Sequence, residues 1–270
     1  MKQRIIVAAI GIPLLLAVLC VLPPFATAVL FGAVCCIGVH ELFHVMGLGE
    51  RKAAMALCMA SAVLIQGAVL LLPFSLILFL FLPFLLLLFL LWVAYYEQEK
   101  PFGMEGLAGA VFSGLLVPLG LAAMTALRNG ENGRLLVLAP LFVTFTGDSG
   151  AYFVGRAWGK HKMSPRTSPN KTMEGLAGGL VTSTVCLPLY GLLLRLFGLQ
   201  PSLWKLALIG LIAGVCAQLG DLAFSLIKRQ YGAKDYGKLL PGHGGAYDRF
   251  DSLSFAAPAV YLLLRLLEVF

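Results

Sequence analysis

The sequence has few charged residues and no stretch polar enough to form a soluble domain. Of its 270 residues only 12% are charged and 60% are hydrophobic, and the mean hydropathy is +0.91. A soluble globular domain contains about 25% charged and about 45–50% apolar residues. The apolar excess is too large for one buried core, so the sequence predicts an integral membrane protein. We expect no nucleic-acid partner, because no polar domain exists to bind one.

The six cysteines form no pattern typical of a disulfide framework or a thiolate metal site. None belongs to a Cys-x-x-Cys motif, and all lie within apolar stretches. Cysteines in such surroundings are usually small buried residues. The sequence also contains no internal repeat, which disfavours a transporter built from inverted repeats.

What the sequence does contain is a series of long apolar runs. A transmembrane helix needs about 20 mostly apolar residues, and a break at Pro73 divides the run 53–96, which is too long for one crossing. The first run follows a basic start, as in a signal peptide, but further runs follow at once and we interpret it as a retained span. The predicted fold class is therefore an all-α, polytopic membrane protein. The nine predicted spans are 5–22, 25–47, 53–72, 74–96, 107–127, 135–155, 176–197, 203–227 and 253–269.

The basic residues are distributed unevenly between the two sides that these spans define. With the amino terminus in the cytoplasm, 15 of the 20 Lys and Arg residues fall on the cytoplasmic side. Cytoplasmic loops of membrane proteins carry such an excess. Two cytoplasmic loops, at about 156–175 and 228–252, hold 10 of the 20, and we expect the functional residues to lie there.

The second basic loop combines cations, glycines and two aspartates in SLIKRQYGAKDYGKLLPGHGGAYDRFDS, Ser225–Ser252. Glycine-rich backbone can approach an anion closely, and its N–H groups can cradle phosphate. Asp248 and Asp251 are three residues apart, so a helix places both on one face. Paired carboxylates beside such a loop indicate Mg²⁺ held for a phosphate substrate. The alternative is that the aspartates cap the last helix of an ordinary positive-inside loop.

Two further aspartates lie within predicted spans. A carboxylate in the middle of a span costs about 3 kcal/mol to insert, so Asp148 and Asp221 require a partner or a function. Because both spans end at the basic loops, we expect the two side chains to face one another across a polar cavity; structural hydrogen bonds between helices are the alternative. The segment SPNKTMEG, Ser168–Gly175, offers groups suited to a phosphate or a sugar hydroxyl. Its alternative interpretation is a turn followed by a helix cap.

The second span contains HELFH, His40–His44, which fits the zinc motif H-E-x-x-H. Zinc would need a third protein ligand, and the other histidines, His161 and His243, lie in the two basic loops. We therefore expect Glu41 to position polar groups near the cytoplasmic end of this span. An intramembrane zinc protease stays an alternative function.

One long segment resembles a known family. The run S-L-I-K-R-x4-K-D-Y-G-K-L-L-P-G-H-G-G-A-Y-D-R-F-D, Ser225–Asp251, is similar to the signature of the phosphatidate cytidylyltransferases, or CDP-diacylglycerol synthases. TGDSGAYFVGRAWGKHK and SPNKTMEGLAGG resemble a second region of that family, and the resemblance covers nearly the whole chain. Ala246 replaces a usually bulkier residue, and Asn170 stands where many members carry lysine. The resemblance implies transfer of CMP from CTP to phosphatidate with Mg²⁺, in phospholipid biosynthesis.

The resemblance also implies an organisation for the whole chain. We expect one membrane-embedded domain over residues 1–270, with N-terminal spans in 1–100 and the catalytic region in 107–270. The partners would be CTP, phosphatidate and membrane lipid, and the family suggests a homodimer. The expected location is a bacterial inner (plasma) membrane, with the active site facing the cytoplasm. An anion transporter that uses the basic loops is a further alternative.

The residues that the resemblance and the loop chemistry select fall into three groups. The predicted metal ligands are Asp221, Asp248, Asp251 and Asp148. The catalytic group comprises the first three of these aspartates together with the phosphate-binding cations Lys228, Arg229, Lys234 and Arg249. Further substrate contacts are expected from Ser168, Asn170, Lys171, Thr172, Lys238, His243, Gly244 and Gly245.

Overall fold

The computed structural model describes residues 2–73, 76, 78–97, 102–237 and 244–270, and within them the chain is predominantly helical. The helices are α1 Lys2–Cys20, α2 Pro24–Val45, α3 Lys52–Leu71, α4 Phe81–Glu97, α5 Met104–Val111, α6 Val117–Asn129, α7 Gly133–Leu136, α8 Ala139–Trp158, α9 Met173–Arg195, α10 Leu203–Gln230 and α11 Tyr247–Leu266. A 3₁₀ turn, Leu78–Leu80, precedes α4, and a π-helix, Phe112–Leu116, joins α5 to α6. Two short strands, β1 Lys162–Ser164 and β2 Ser168–Thr172, form an antiparallel hairpin between α8 and α9.

Local sequence explains several helix boundaries. Proline occupies the first turn of α2 and α8, where its missing N–H leaves no hydrogen bond unmade. Thr172 caps α9 by accepting a hydrogen bond from the Gly175 N–H at 3.1 Å. Thr172 therefore caps a helix, as the alternative interpretation of the SPNKTMEG segment predicted.

Six helical segments among the described residues are long and apolar enough to cross a membrane, and the chain is a multi-pass membrane protein. They are Pro24–Val45, Lys52–Leu71, Met104–Asn129, Gly133–Trp158, Met173–Arg195 and Leu203–Gln230. Two shorter apolar segments, Ala9–Val21 and Phe81–Tyr96, add to these. The all-α, polytopic fold class is thereby confirmed. Each predicted span overlaps a helix, and α3 ends just before Pro73 as expected; that all nine cross the bilayer stays a prediction.

The helices pack in two groups. In the first, α2, α3 and α6 contact one another, and α4 packs on α3 with its leucines largely exposed. In the second, α8, α9 and α10 follow one another side by side, and α10 also packs along α11. Small residues permit this close packing: a Cβ at Gly210 or Gly214 of α10 would collide with Ser183 of α9. Such small-residue interfaces are typical of membrane helices.

Helix α11 joins the two groups, because it packs against α6 and α2 as well as against α10. Its first residue, Tyr247, is fully buried and lies directly beside Gly38 of α2. The Tyr247 hydroxyl donates to the Ser113 carbonyl, 3.3 Å away in the π-helix. The N-terminal helices thus fix the start of α11, where the Asp-Arg-Phe-Asp sequence lies.

Candidate functional site

A polar cavity of about 490 Å³ lies between α8, α9, α10 and the hairpin. As the sequence predicted, both intramembrane aspartates, Asp148 of α8 and Asp221 of α10, line this cavity. Its other polar lining residues include Arg156, Asn170, Lys171 and Gln218. The cavity therefore brings a basic loop and two intramembrane carboxylates together.

Lys171 is one of the two cations that line this cavity. The hairpin carries it on β2, and its ammonium group forms an ion pair with the Asp221 carboxylate. The other Asp221 oxygen accepts a hydrogen bond from the Ser225 hydroxyl at 3.4 Å. Asp148 lies within electrostatic range of both Lys171 and Asp221. Two carboxylates, Asp148 and Asp221, thus line the cavity together with two cations, Lys171 and Arg156.

Asp251 supplies a third carboxylate from the adjoining helix. It interacts electrostatically with Asp221, Lys228 and Asp148. Helices α10 and α11 touch here, since a Cβ at Gly220 would lie 2.8 Å from the Asp251 carbonyl oxygen. Asp251 therefore lies within electrostatic range of the two cavity aspartates.

Asp248, although close in sequence to Asp251, has a different set of partners. Its Oδ1 lies 2.5 Å from the Lys228 ammonium group. Its Oδ2 accepts two backbone hydrogen bonds, from Tyr236 at 2.8 Å and from Gly245 at 2.9 Å. Both oxygens are thus engaged, and Asp248 ties the start of α11 to α10 and to the loop between them.

Tyr236 is a site residue that sequence reasoning missed. It is buried, its hydroxyl donates to the Phe224 carbonyl at 2.9 Å, and the Lys228 ammonium lies 5.3 Å from its ring centroid. Burial, with Asp248 and Asp251 nearby, raises the pKa of Tyr236 well above its usual value. The phenol therefore stays neutral. Its position in the K-D-Y-G part of the signature was the available signal.

Glu41 is a second contributor, and it comes from the opposite end of the chain. Its side chain is buried in α2, and its Oε2 accepts a hydrogen bond from the Ala246 N–H at 2.8 Å. The neighbouring His40 and His44 are exposed, with ring centroids 4.1 Å apart. The His44 Nδ1 lies 2.8 Å from the His40 carbonyl oxygen. Glu41 therefore contacts the loop that precedes α11.

The remaining predicted residues lie around the cavity and the loop. Arg229 is exposed and its guanidinium donates to the carbonyls of Thr167 and Ala233, at 3.3 and 3.2 Å. Ser168 and Asn170 lie on β2, Lys234 and Arg249 are exposed, and Gly244 has a φ of +86° that favours glycine. Lys238 and His243 lie outside the described residues. The roles assigned to all these residues stay predictions.

The carboxylates form an open donor set and not a closed cage. Within the described ranges no three His, Cys, Asp or Glu side chains are close enough to hold a metal ion, HELFH included. Mg²⁺ is usually held by one or two carboxylates, with substrate phosphates and water completing its octahedron. Asp148 and Asp221, which line the same cavity, offer carboxylate oxygens of the kind that such a site uses.

A second, mostly apolar cavity of about 330 Å³ lies between α2, α5, α10 and the π-helix. Its polar groups are Glu105, Gln230 and Tyr231, and the Tyr231 hydroxyl lies 3.3 Å from the Glu105 carboxylate. Burial and, to a smaller extent, the nearby Glu105 carboxylate raise the pKa of the Tyr231 hydroxyl. An acid without a cation lining the cavity does not suit a phosphate, so the first cavity is the candidate anion site.

Comparison with known sequences agrees with this geometry. A sequence model described as the Cytidylyltransferase family matches residues 2–267. The chain is 42% identical over 146 residues to the phosphatidate cytidylyltransferase of Staphylococcus saprophyticus, covering 54% of this chain and 55% of that protein. It is 46% identical over 136 residues to the Bacillus subtilis protein of the same name, covering 50% and 49%. With the Brucella suis protein of that name the identity is 39% over 174 residues, covering 64% and 60%. The chain thus spans about half to three-fifths of these relatives.

Proposed function

The chain belongs to the Cytidylyltransferase family, and from that premise we propose that it transfers CMP from CTP to phosphatidate. The products are CDP-diacylglycerol, a precursor in phospholipid biosynthesis, and pyrophosphate. One observation carries the proposal: two intramembrane aspartates, Asp148 and Asp221, line the same cavity as Lys171 beside the basic loops. The relatives named above support the choice of substrates.

The reaction needs no protein nucleophile. A phosphate oxygen of phosphatidate attacks the α-phosphorus of CTP, and the bond from that phosphorus to the oxygen bridging it to the β-phosphorus breaks. Pyrophosphate leaves with the electron pair of that bond. The protein's task is to hold two anions together and to stabilise the departing charge, as in phosphoryl transfer generally.

The cations of the two loops perform that task. Lys171 pairs with Asp221 in this structure and is placed to contact a phosphate that enters the cavity. Arg229 bridges the two loops through the Thr167 carbonyl, which holds the hairpin beside α10. Lys234 and Arg249, both exposed, are the further candidates for the triphosphate and the lipid phosphate.

We propose that Asp148, Asp221 and Asp251 hold Mg²⁺ when the nucleotide binds. The bound ion supplies neutralisation of the phosphate oxygens and of the charge on departing pyrophosphate. Both oxygens of Asp248 already accept hydrogen bonds. Asp248 can therefore bind the metal only if its ion pair with Lys228 breaks. Its present contacts favour a role in fixing the loop.

The proposed location is a bacterial inner membrane, with this cavity on the cytoplasmic side. CTP would enter from the cytoplasm, where the positive-inside distribution places both basic loops. Phosphatidate would approach along the lipid-exposed side chains of the bundle, with its headgroup at the level of the loops. A homodimer, expected from the family, stays a prediction.

The proposal is tested with the purified protein in detergent. Incubation with CTP, phosphatidate and Mg²⁺ should yield CDP-diacylglycerol and pyrophosphate in equal amounts, and a metal chelator should stop the reaction. Absence of a CDP-lipid from well-folded protein would refute the proposal. Uptake of an anion into proteoliposomes without lipid conversion would instead favour a transporter.

A further inference from the structure

Glu41 contacts a part of the chain 205 residues away from it. Its side chain belongs to α2 and is only 7% exposed, and its Oε2 accepts the Ala246 N–H at 2.8 Å. Ala246 directly precedes α11, at the end of the loop 231–246, which we call the signature loop. A helix outside the predicted catalytic region therefore binds the backbone of that loop.

Glu41 also touches the signature loop at a second point, before residues 238–243. A Cβ added to Gly237 would lie 2.6 Å from the Glu41 Cδ, and a Cβ added to Gly245 would lie equally close. A larger residue at either position would force the carboxylate or the loop to shift. One carboxylate thus contacts both the outgoing and the returning arm of the loop.

The burial of this carboxylate requires an explanation. Among the described residues no Lys, Arg or His forms a salt bridge with Glu41, and its partners are the backbone N–H groups of Ala246 and Tyr247. Burying a carboxylate is costly unless hydrogen bonds compensate. An apolar residue would satisfy the packing of α2 without this cost, so packing alone does not account for an acid here.

Asp248 contacts the same two arms from the other side. Its Oδ2 accepts from Tyr236 on the outgoing arm and from Gly245 on the returning arm. Glu41 touches the next residue on each arm, Gly237 and Ala246. Two acids, one from α2 and one from α11, therefore hold the two arms of the signature loop together.

We propose that Glu41 is a positioning residue for the nucleotide-binding loop, acting through the backbone at Gly237 and Ala246. By holding both arms it fixes where Lys234 lies and where the chain enters and leaves residues 238–243, which include the predicted contacts Lys238 and His243. This inference rests on the proposed function where it concerns catalysis. In this interpretation the glutamate of the HELFH motif holds the loop in place, and His40 and His44 have no role.

The test compares wild type with Glu41→Ala, Glu41→Gln and the matched control His40→Ala, which changes the adjacent exposed residue. Hydrogen–deuterium exchange follows the peptides covering 232–237 and 244–250. Kinetics give kcat and the KM values for CTP and phosphatidate. The exchange measurement needs no activity, so the inference can be judged even if wild type makes no CDP-lipid, a result that would refute only the proposed function.

We expect Glu41→Ala to increase exchange in both peptides and to lower kcat/KM for CTP at least about tenfold, the effect of losing a hydrogen bond to a charged group. The KM for phosphatidate should change less. Glu41→Gln keeps one acceptor for the Ala246 N–H and should recover part of the loss, about threefold below wild type. His40→Ala should match wild type in every measurement.

Three results would overturn the inference. The first is a folded Glu41→Ala protein whose loop exchange and CTP kinetics equal those of wild type. The second applies if Glu41→Ala does not fold: a folded Glu41→Gln protein with wild-type exchange and kinetics. A uniform increase in exchange over α3 and α6 as well would also contradict it, because it would indicate a general packing role.

Discussion

The Lys228 ammonium and the Asp248 carboxylate form a buried ion pair, with 2.5 Å between Nζ and Oδ1. Their side chains are 11% and 4% exposed, so solvent screens the pair little. The pair joins the end of α10 to the start of α11, across the loop that carries most of the family signature. These two signature residues therefore contribute to the architecture of the site, whatever they contribute to chemistry.

The first prediction concerns the stability of this pair. Asp248→Asn should lower the unfolding temperature in detergent and abolish turnover, since breaking a buried pair on one side costs about 3–5 kcal/mol. The double variant Lys228→Met with Asp248→Asn leaves no uncompensated buried charge and should recover much of the stability but not the turnover. Differential scanning fluorimetry and the CDP-lipid assay measure the two properties. An Asp248→Asn protein with an unchanged unfolding temperature would show that the pair is not structural.

The second prediction separates the three proposed metal ligands Asp148, Asp221 and Asp251 from Asp248. Asp148→Asn, Asp221→Asn and Asp251→Asn should each reduce kcat by about 10²–10³, because charge stabilisation in the transition state is lost. Each should also raise the Mg²⁺ concentration needed for half-maximal rate. Ser225→Ala, which removes only a 3.4 Å hydrogen bond to Asp221, is the control. Near wild-type rates at low Mg²⁺ in all three Asn variants would move the metal site elsewhere.

The third prediction concerns the lysine in the cavity. Lys171→Met removes the cation paired with Asp221 and should raise the KM for CTP about tenfold, as expected for a lost charged contact. Lys162→Met is the matched control, because Lys162 is exposed on the other strand of the same hairpin. Steady-state kinetics at saturating phosphatidate distinguish the two. Equal KM values for both variants would remove Lys171 from the nucleotide site.

The sequence predicted the fold class well because each apolar run is long enough to identify a span without any periodicity. It also placed Asp148 and Asp221 in one cavity, since two costly carboxylates in spans that end at the same loops must face a shared polar space. Both inferences depend on composition and on position along the chain, which a single sequence states directly.

Other features depend on contacts between distant residues, and the sequence could not specify them. The hydrogen bond from Ala246 to Glu41 crosses most of the chain, and uniformly apolar helices do not reveal which face meets which neighbour. The π-helix Phe112–Leu116 was likewise not predicted. The ion pair of Asp248 with Lys228 was missed for the same reason, because the Asp248–Asp251 spacing alone favoured a shared metal role.

The fourth prediction concerns topology. In a background without the six native cysteines, cysteine introduced at Lys162 or Lys234 should react only with membrane-permeant reagents in intact cells. Both positions are exposed in the structure. If impermeant reagents do not label them, the reason is therefore that they face the cytoplasm and not that they are buried. The positive-inside distribution is the physical reason for this expectation. Labelling of either position from outside would contradict the cytoplasmic access route for CTP.

The last prediction uses the glycine that faces Glu41. In Gly237→Ala the new methyl group would overlap the buried carboxylate, so either the Glu41 side chain or the outgoing arm of the signature loop must shift. We expect kcat/KM for CTP to fall about tenfold or more, since overpacking typically costs about 1–3 kcal/mol. Gly67→Ala in α3, where a Cβ meets nothing within 4 Å, should leave the kinetics unchanged. Shortening the acid in Gly237→Ala with Glu41→Asp makes room for the methyl group and should restore part of the activity. If the double variant is no better than Gly237→Ala alone, the loss does not arise from the contact with Glu41, and the glycine is required for another reason.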